Sequence, residues 1–180
     1  MNTIPTLSTI KAIIGLGNPG RTYYNNRHNI GFRVIEELAK AYNGAFKKTD
    51  HMELAHIIVH EKPIFLIMPQ TFMNASGKVI PFLTKKGIKP DEILVVHDEL
   101  ELPFSKIKIK DGGSSKGHNG LKSIIQHIGQ DFPRLAIGIG RPANKEDVPD
   151  YVLQNFEDPI ATQNIIDEAL RLIETSIIAK

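Results

Sequence analysis

Cysteine is absent from all 180 residues. Disulfides are thereby excluded, and with them every mechanism that starts from a thiolate nucleophile. No apolar run approaches the roughly 18 residues that a membrane span requires. The opening residues, M-N-T-I-P-T-L-S-T-I-K, lack the basic n-region and apolar core of a signal peptide. Excess charge of one sign is missing too, since 22 lysines and arginines against 20 acids leave a formal net charge of +2. Affinity for nucleic acid must then come from a local patch rather than from the field of the whole molecule. There is no G-x-S-x-G elbow, no internal repeat, no low-complexity tract and no linker that would divide two domains. These absences describe a soluble chain, expected in the cytoplasm, of a length that suits one compact domain.

Elements follow from patterning. Residues 1–10 read as a short, loosely held leader before a single domain over 11–180. Lys11–Leu16 is a continuous apolar strand, expected to be buried on both faces. From Asn29 the positions Ile30, Val34, Ile35, Leu38, Ala39 and Tyr42 recur at helical spacing, and Asn43-Gly44 closes the run. Leu54–Val59 and Ile64–Met68 form a hairpin around His60–Pro63. Ala75–Lys86 is a helix that Pro81 should kink or shorten. Ile93–Val96 is a buried strand running into His97-Asp98-Glu99, and Lys106–Lys110 alternates like a strand with one wet face. After the glycine- and serine-rich loop Asp111–Asn119 come a helix over Leu121–Ile128, a strand over Leu135–Ile139 and a long helix opened by Asp158-Pro159. The fold class is α/β, a single domain with a mixed twisted β-sheet covered by helices on both sides.

The stretch from Ile13 to Phe32, I-I-G-L-G-N-P-G-R-T-Y-Y-N-N-R-H-N-I-G-F, concentrates polar side chains directly after a buried strand. α/β proteins commonly place their chemistry there. Gly15, Gly17 and Gly20 spell the dinucleotide fingerprint G-x-G-x-x-G, but its context fails. The third glycine should already lie in a helix, whereas R-T-Y-Y-N-N-R carries no apolar stripe. The acid expected roughly 20 residues on is missing, because Glu36 and Glu37 fall inside the helix. A nucleotide-dependent oxidoreductase is therefore a poor reading.

His28 is a candidate general base, since histidine alone titrates near neutrality without help. Asp98, at the end of a buried strand, can orient it. With no cysteine and no serine elbow, the pair points to activated water. Metal chemistry is not expected: His56 and His60 sit on an alternating strand, and His97-Asp98-Glu99 places neighbours on opposite faces. Asn18, Asn74 and Asn119 are amides that can grip a carbonyl or an oxyanion. Asn74 and Asn119 equally suit helix capping. Lys106, Lys108 and Lys110 share one strand face and lead into the glycine-rich loop with Lys116. That combination suits phosphate, although lysines on a wet strand face also solubilise or guard an edge.

The motifs G-L-G-N-P-G, R-H-N-I-G, P-Q-T-F-M-N-A-S-G, H-D-E-L-E-L-P, G-H-N-G-L-K-S and G-I-G-R-P, in order from Lys11 to Phe156, closely resemble the bacterial peptidyl-tRNA hydrolases. The resemblance implies hydrolysis of the ester joining a peptide to tRNA, by a monomer, without metal or cofactor. It implies that His28 is the catalytic base, Asp98 its orienting carboxylate and Asn18 the residue that senses the N-blocked group. It further implies substrate contacts at Tyr23, Phe72, Met73, Asn74 and Asn119, and a phosphate contact at Lys110. This chain departs from the family pattern in carrying Ala136 where arginine is common, Lys116 where a small residue is usual, and a short C-terminus. Lys116 is expected to take over part of the missing arginine's role. A non-catalytic RNA-binding protein on the same scaffold, as in similar plant organelle splicing factors, is the alternative. Retention of His28, Asp98 and Asn18 together favours the enzyme.

Overall fold

A computed structural model describes residues 7–178. Its centre is one seven-stranded sheet ordered β2-β3-β4-β1-β5-β7-β6. The strands are β1 (Ala12–Gly15), β2 (Lys47–Lys48), β3 (Met52–Val59), β4 (Lys62–Pro69), β5 (Ile93–Glu99), β6 (Ile107–Asp111) and β7 (Pro133–Gly138). β4, β1, β5 and β7 run parallel, while β3 on one side and β6 on the other are antiparallel to their neighbours. The helices are α1 (Ile30–Ala41), α2 (Ile80–Lys85), α3 (Asn119–Ile128), α4 (Val148–Val152) and α5 (Pro159–Ile178).

The apolar run of β1 is explained by burial on both faces. Ile13 packs with Leu94, Val96 and Leu135 under α1 and α5. Ala12 and Ile14 face the other way, toward Ile80, Leu83, Leu121 and Ile124. Each such isoleucine contributes about 1.5–3 kcal/mol by leaving water. α5 buries Ile165, Ile166, Ala169, Ile173 and Ile177, with Leu170 half-buried against them. Asp158 caps that helix by accepting from the amides of Ile160 and Ala161. In the hairpin, His60 and Glu61 both take positive φ (47° and 67°), the two-residue turn that matches strand twist.

The structure corrects several expectations. Residues 7–10 are not loosely held: Leu7 and Ile10 lie in the core, and the Leu7 amide donates to the Ser176 carbonyl. Residues 1–6 of the expected leader lie outside the described residues. Met73–Val79 winds as a 3₁₀ helix, and α2 starts only at Ile80 with Pro81 in its first turn. There proline lacks nothing, because a first-turn amide has no intrahelical partner. β2 and α4 are too short to leave a periodic signal. The cap of α3 is His118, not Asn119, and Asn74 is not a cap because Phe72 holds that place.

Topology fixes where ligands go. β1 has β4 on one side and β5 on the other, so the sheet order reverses at β1. α/β sheets open a crevice at such a point, outside the carboxyl ends of the strands. Asn18, Met73 and Asp98 follow or end β1, β4 and β5, and so meet there.

Candidate active site

His28 occupies a 3₁₀ turn, Arg27–Asn29, that feeds straight into α1. The start of α1 is pressed against β1: a Cβ on Gly31 would lie 2.5 Å from the Leu16 amide and the Val96 carbonyl. Only hydrogen fits there, and the contact sets the distance between the histidine turn and the sheet. From β5, Asp98 meets His28 with both oxygens, at 3.0 and 2.8 Å from Nδ1. A carboxylate accepts, so Nδ1 carries the proton and Nε2 is left as the basic nitrogen. Burial opposes the charged form of His28, yet the charge of Asp98 and its hydrogen bond outweigh that and raise the pKa above the ordinary histidine value. Burial likewise opposes ionisation of Asp98, but the two histidines around it hold its pKa well below the usual carboxylate range.

The second histidine is His118, which the sequence did not single out. Its Nδ1 accepts from the amides of Gly120 (3.1 Å) and Leu121 (3.3 Å), capping α3. That nitrogen is therefore unprotonated, and Nε2 carries the hydrogen given to Asp98 Oδ1 at 2.8 Å. The rule that prefers asparagine at a helix start pointed one residue too far along G-H-N-G. His97, behind them, donates Nδ1–H to the Asp98 carbonyl at 2.7 Å. Burial, reinforced by His118, pushes its pKa down to about 3, so it stays neutral. Among the described residues, His28, Asp98 and His118 have potential metal-ligating atoms within 4.8 Å of one another. The tautomers account for this grouping: the contacts are hydrogen bonds between the ligands themselves, not distances to a common centre.

Asn18 is a junction. Its Oδ1 accepts from the Met73 amide at 2.8 Å, while its own amide and carbonyl pair with the side chain of Asn29 (2.9 Å each). Asn29 adjoins His28, so the turns after β1 and β4 and the histidine turn move as one. With Oδ1 committed, only the Nδ2 donors of Asn18 remain for other use.

His28, Asp98, Lys116 and Asn119 line one cavity of about 330 Å³, closed on its far side by Val148, Pro149 and Val152. Asn18 lines a neighbouring depression of about 360 Å³ with Pro19, Met68 and Gln70. Met73 is buried and Phe72 is exposed beside it, with Asn74 exposed next in the chain. Tyr23 is half-buried and lines neither space. A larger cavity, about 710 Å³, lies at the amino ends of the parallel strands between Lys11, Phe65 and Ile88. Its acid, Glu92, is tied to Lys11 at 2.7 Å, and nothing comparable to the His28–Asp98 pair lines it.

The wall made by α4 rests on Arg27, also overlooked in the sequence. Its guanidinium lies 4.0 Å over the Tyr151 ring and donates to the Tyr151 carbonyl at 3.0 Å. An arginine in a polar loop suggests exposure; this one is buried. At the opposite rim, Lys116 gives its ammonium to Glu99 at 3.2 Å. The expected free replacement for an arginine at Ala136 is thus partly neutralised. Lys110 is half-buried; burial and the charges of Lys116 and Arg134 lower its pKa, with Glu99 working the other way. Ala136 is fully inside the sheet, across from His97 and Lys108 in register.

The sheet brings a carboxylate-locked histidine to its switch point, with amide side chains and lysines around it, an arrangement able to move a proton and to attract an anion. The chain belongs to the peptidyl-tRNA hydrolase family, whose family model matches residues 12–179. The peptidyl-tRNA hydrolase of Rickettsia peacockii (strain Rustic) is 49% identical over 150 residues, 82% of each chain. That of Hydrogenobaculum sp. (strain Y04AAS1) is 50% identical over 150 residues, 82% of this chain and 79% of its own. Among solved structures, a peptidyl-tRNA hydrolase in complex with N-propanol superposes with a TM-score of 0.86 at 38% identity, covering 98% of this chain and 91% of that one. The Acinetobacter baumannii enzyme gives 0.84 at 40%, covering 95% and 86%. A purine nucleoside phosphorylase from Toxoplasma gondii, 12% identical with a TM-score of 0.54, shares the fold alone.

Proposed function

We propose that the protein hydrolyses the ester between a peptide, or an N-blocked aminoacyl group, and tRNA. The observation that carries this reading is the fixed tautomer of His28: Nδ1–H donates to the Asp98 carboxylate, so Nε2 is the basic nitrogen. Nε2 accepts a proton from water, and the water oxygen bonds to the ester carbonyl carbon. The resulting oxyanion is held by amide donors, for which Asn18, Asn74 and Asn119 are the assigned side chains. Collapse breaks the bond to the ribose oxygen, which takes the proton from His28, leaving free tRNA and a peptide carboxylate. The side-chain donors of Asn18, pinned through Oδ1 to the Met73 amide, read the blocked amino group. Tyr23, Phe72 and Met73 contact the substrate, and Lys110 and Lys116 the RNA phosphates. On this reading the protein works on tRNA as a monomer in the cytoplasm. Among the described residues no helix is long and apolar enough to cross a membrane. No metal or cofactor is assigned a role.

Release of N-blocked amino acid from charged tRNA, by the wild type and by His28→Ala, tests the proposal. Cleavage by the first and loss in the second is expected. Wild-type binding of tRNA without cleavage would instead make the protein an RNA binder on a hydrolase scaffold.

A further inference from the structure

Arg134 is fully buried in β7, yet its guanidinium makes no ion pair among the described residues. It lies 4.4 Å over the Phe132 ring. Nη1 donates to the Ser114 carbonyl at 2.9 Å, and Nη2 donates to the carbonyls of Gly113 and of Gln130, the latter at 3.1 Å. Nε has no partner. Burying a cation is costly unless something nearby is gained by it. What these bonds hold is the glycine-rich loop after β6, which returns the chain to His118 and the start of α3.

In a trans peptide the N–H points opposite to the C=O, and no peptide described here is cis. Drawing the carbonyls of Gly113 and Ser114 inward therefore turns the amides of Ser114 and Ser115 outward. Among the described residues neither amide donates to any backbone carbonyl, nor do those of Lys116 and Gly117. Gly112, Gly113, Lys116 and Gly117 take positive φ (64°, 115°, 46° and 84°), so the loop is far from any regular path that would use those donors internally. Lys116, the nearby cation, is already shared with Glu99. Besides Lys110, the uncommitted donors at this rim are the neutral backbone amides of the loop.

We propose that Arg134 is a positioning residue for RNA binding. It touches no substrate; from beneath, it sets the loop so that the amides of Ser114 and Ser115 face out as donors to a phosphate oxygen. In a chain with alanine at position 136, that backbone pair supplies phosphate contact without adding charge. The inference rests on tRNA being the ligand, but not on the chemistry at His28.

The test uses the full chain with uncharged tRNA, so that failure to cleave an ester does not bear on it. Arg134→Lys keeps the charge and can reach only part of the carbonyl set; Arg134→Met removes both. For Arg134→Met, tRNA binding about tenfold weaker is expected, with Arg134→Lys between it and the wild type. The salt slope of Arg134→Lys should stay that of the wild type, because amides release no counterions. Without RNA, trypsin should cut after Lys116 faster in both variants. Binding within about twofold of wild type in a folded Arg134→Met would overturn the proposal, as would weak binding with the loop as protected as in the wild type. If Arg134→Met does not fold, Arg134→Lys decides on the same two readouts.

Discussion

The two rims of the cavity are built on opposite principles. On the histidine side, Asp98 receives one donor from His28 and one from His118, and the other nitrogen of His118 is fixed by the amides that open α3. All three groups are largely shielded, so a small shift costs a defined hydrogen bond in a poorly screened setting. On the lysine side, Lys116 and Lys110 share the field of Glu99, and both remain at least partly in water. Ion pairs of that kind are weak and adjustable. Proton transfer needs the first arrangement because it depends on which atom holds the proton. Gripping a polyanion needs only the second.

If this contrast is right, substitutions should divide sharply between the rims. The largest effect is expected from His28→Ala, a fall in kcat of about 10²–10⁴ with tRNA affinity retained. Asp98→Asn comes next, about 10² in kcat, together with a displaced pH profile. Activity of the wild type should fail on the acid side at a pH above the ordinary histidine value, because His28 must be neutral and its pKa is raised. Removing the Asp98 charge leaves burial acting alone, so the acid limb should move to lower pH even as the maximum falls. A limb that stays put would mean another group titrates. His118→Asn separates capping from orientation: asparagine can cap α3 but is too short to reach Asp98 as well. About tenfold loss of activity with an unchanged Tm is expected; an unchanged rate would reduce His118 to a cap. The smallest effects belong to the lysine rim. Lys110→Ala should lower the salt slope of tRNA binding by about one. Lys116→Ala should lower it by less, since Glu99 already neutralises part of that charge. Equal slopes would show that the pair opens freely.

Much of this was legible in the chain itself. The run into β1, the helix after Asn29 and the hairpin turn carry strong local patterns, and their place in the sheet brings Asp98 and Asn18 to one crevice. His28 and Asp98 could be paired because few side chains titrate near neutrality. What could not be read depends on contacts between distant segments. His118 acts as a cap only because Asp98, from another element, holds its other nitrogen. Arg27 and Arg134 look like surface cations until the carbonyls of Tyr151 and Ser114 are brought over them. Asn18 is an amide able to grip a carbonyl or an oxyanion, yet its acceptor half is spent on Met73. The glycines of the opening motif resemble a phosphate cradle in one dimension. In three, Gly15 is in contact with Gly31, and Gly17 with the Phe32 ring.

That meeting of Gly31 with the backbone of Leu16 and Val96 makes the thickness of a hydrogen atom the spacer between the histidine turn and the sheet. His28 is three residues upstream on the same turn of chain, and its partner Asp98 is two residues beyond Val96 on the strand that Gly31 touches. A methyl group at position 31 is therefore a shim inserted between the two halves of one acid–base pair. It would remove no polar side chain and still lever the histidine away from its carboxylate. A residue that carries no functional group thus sets the length of the bond on which the proposed chemistry depends.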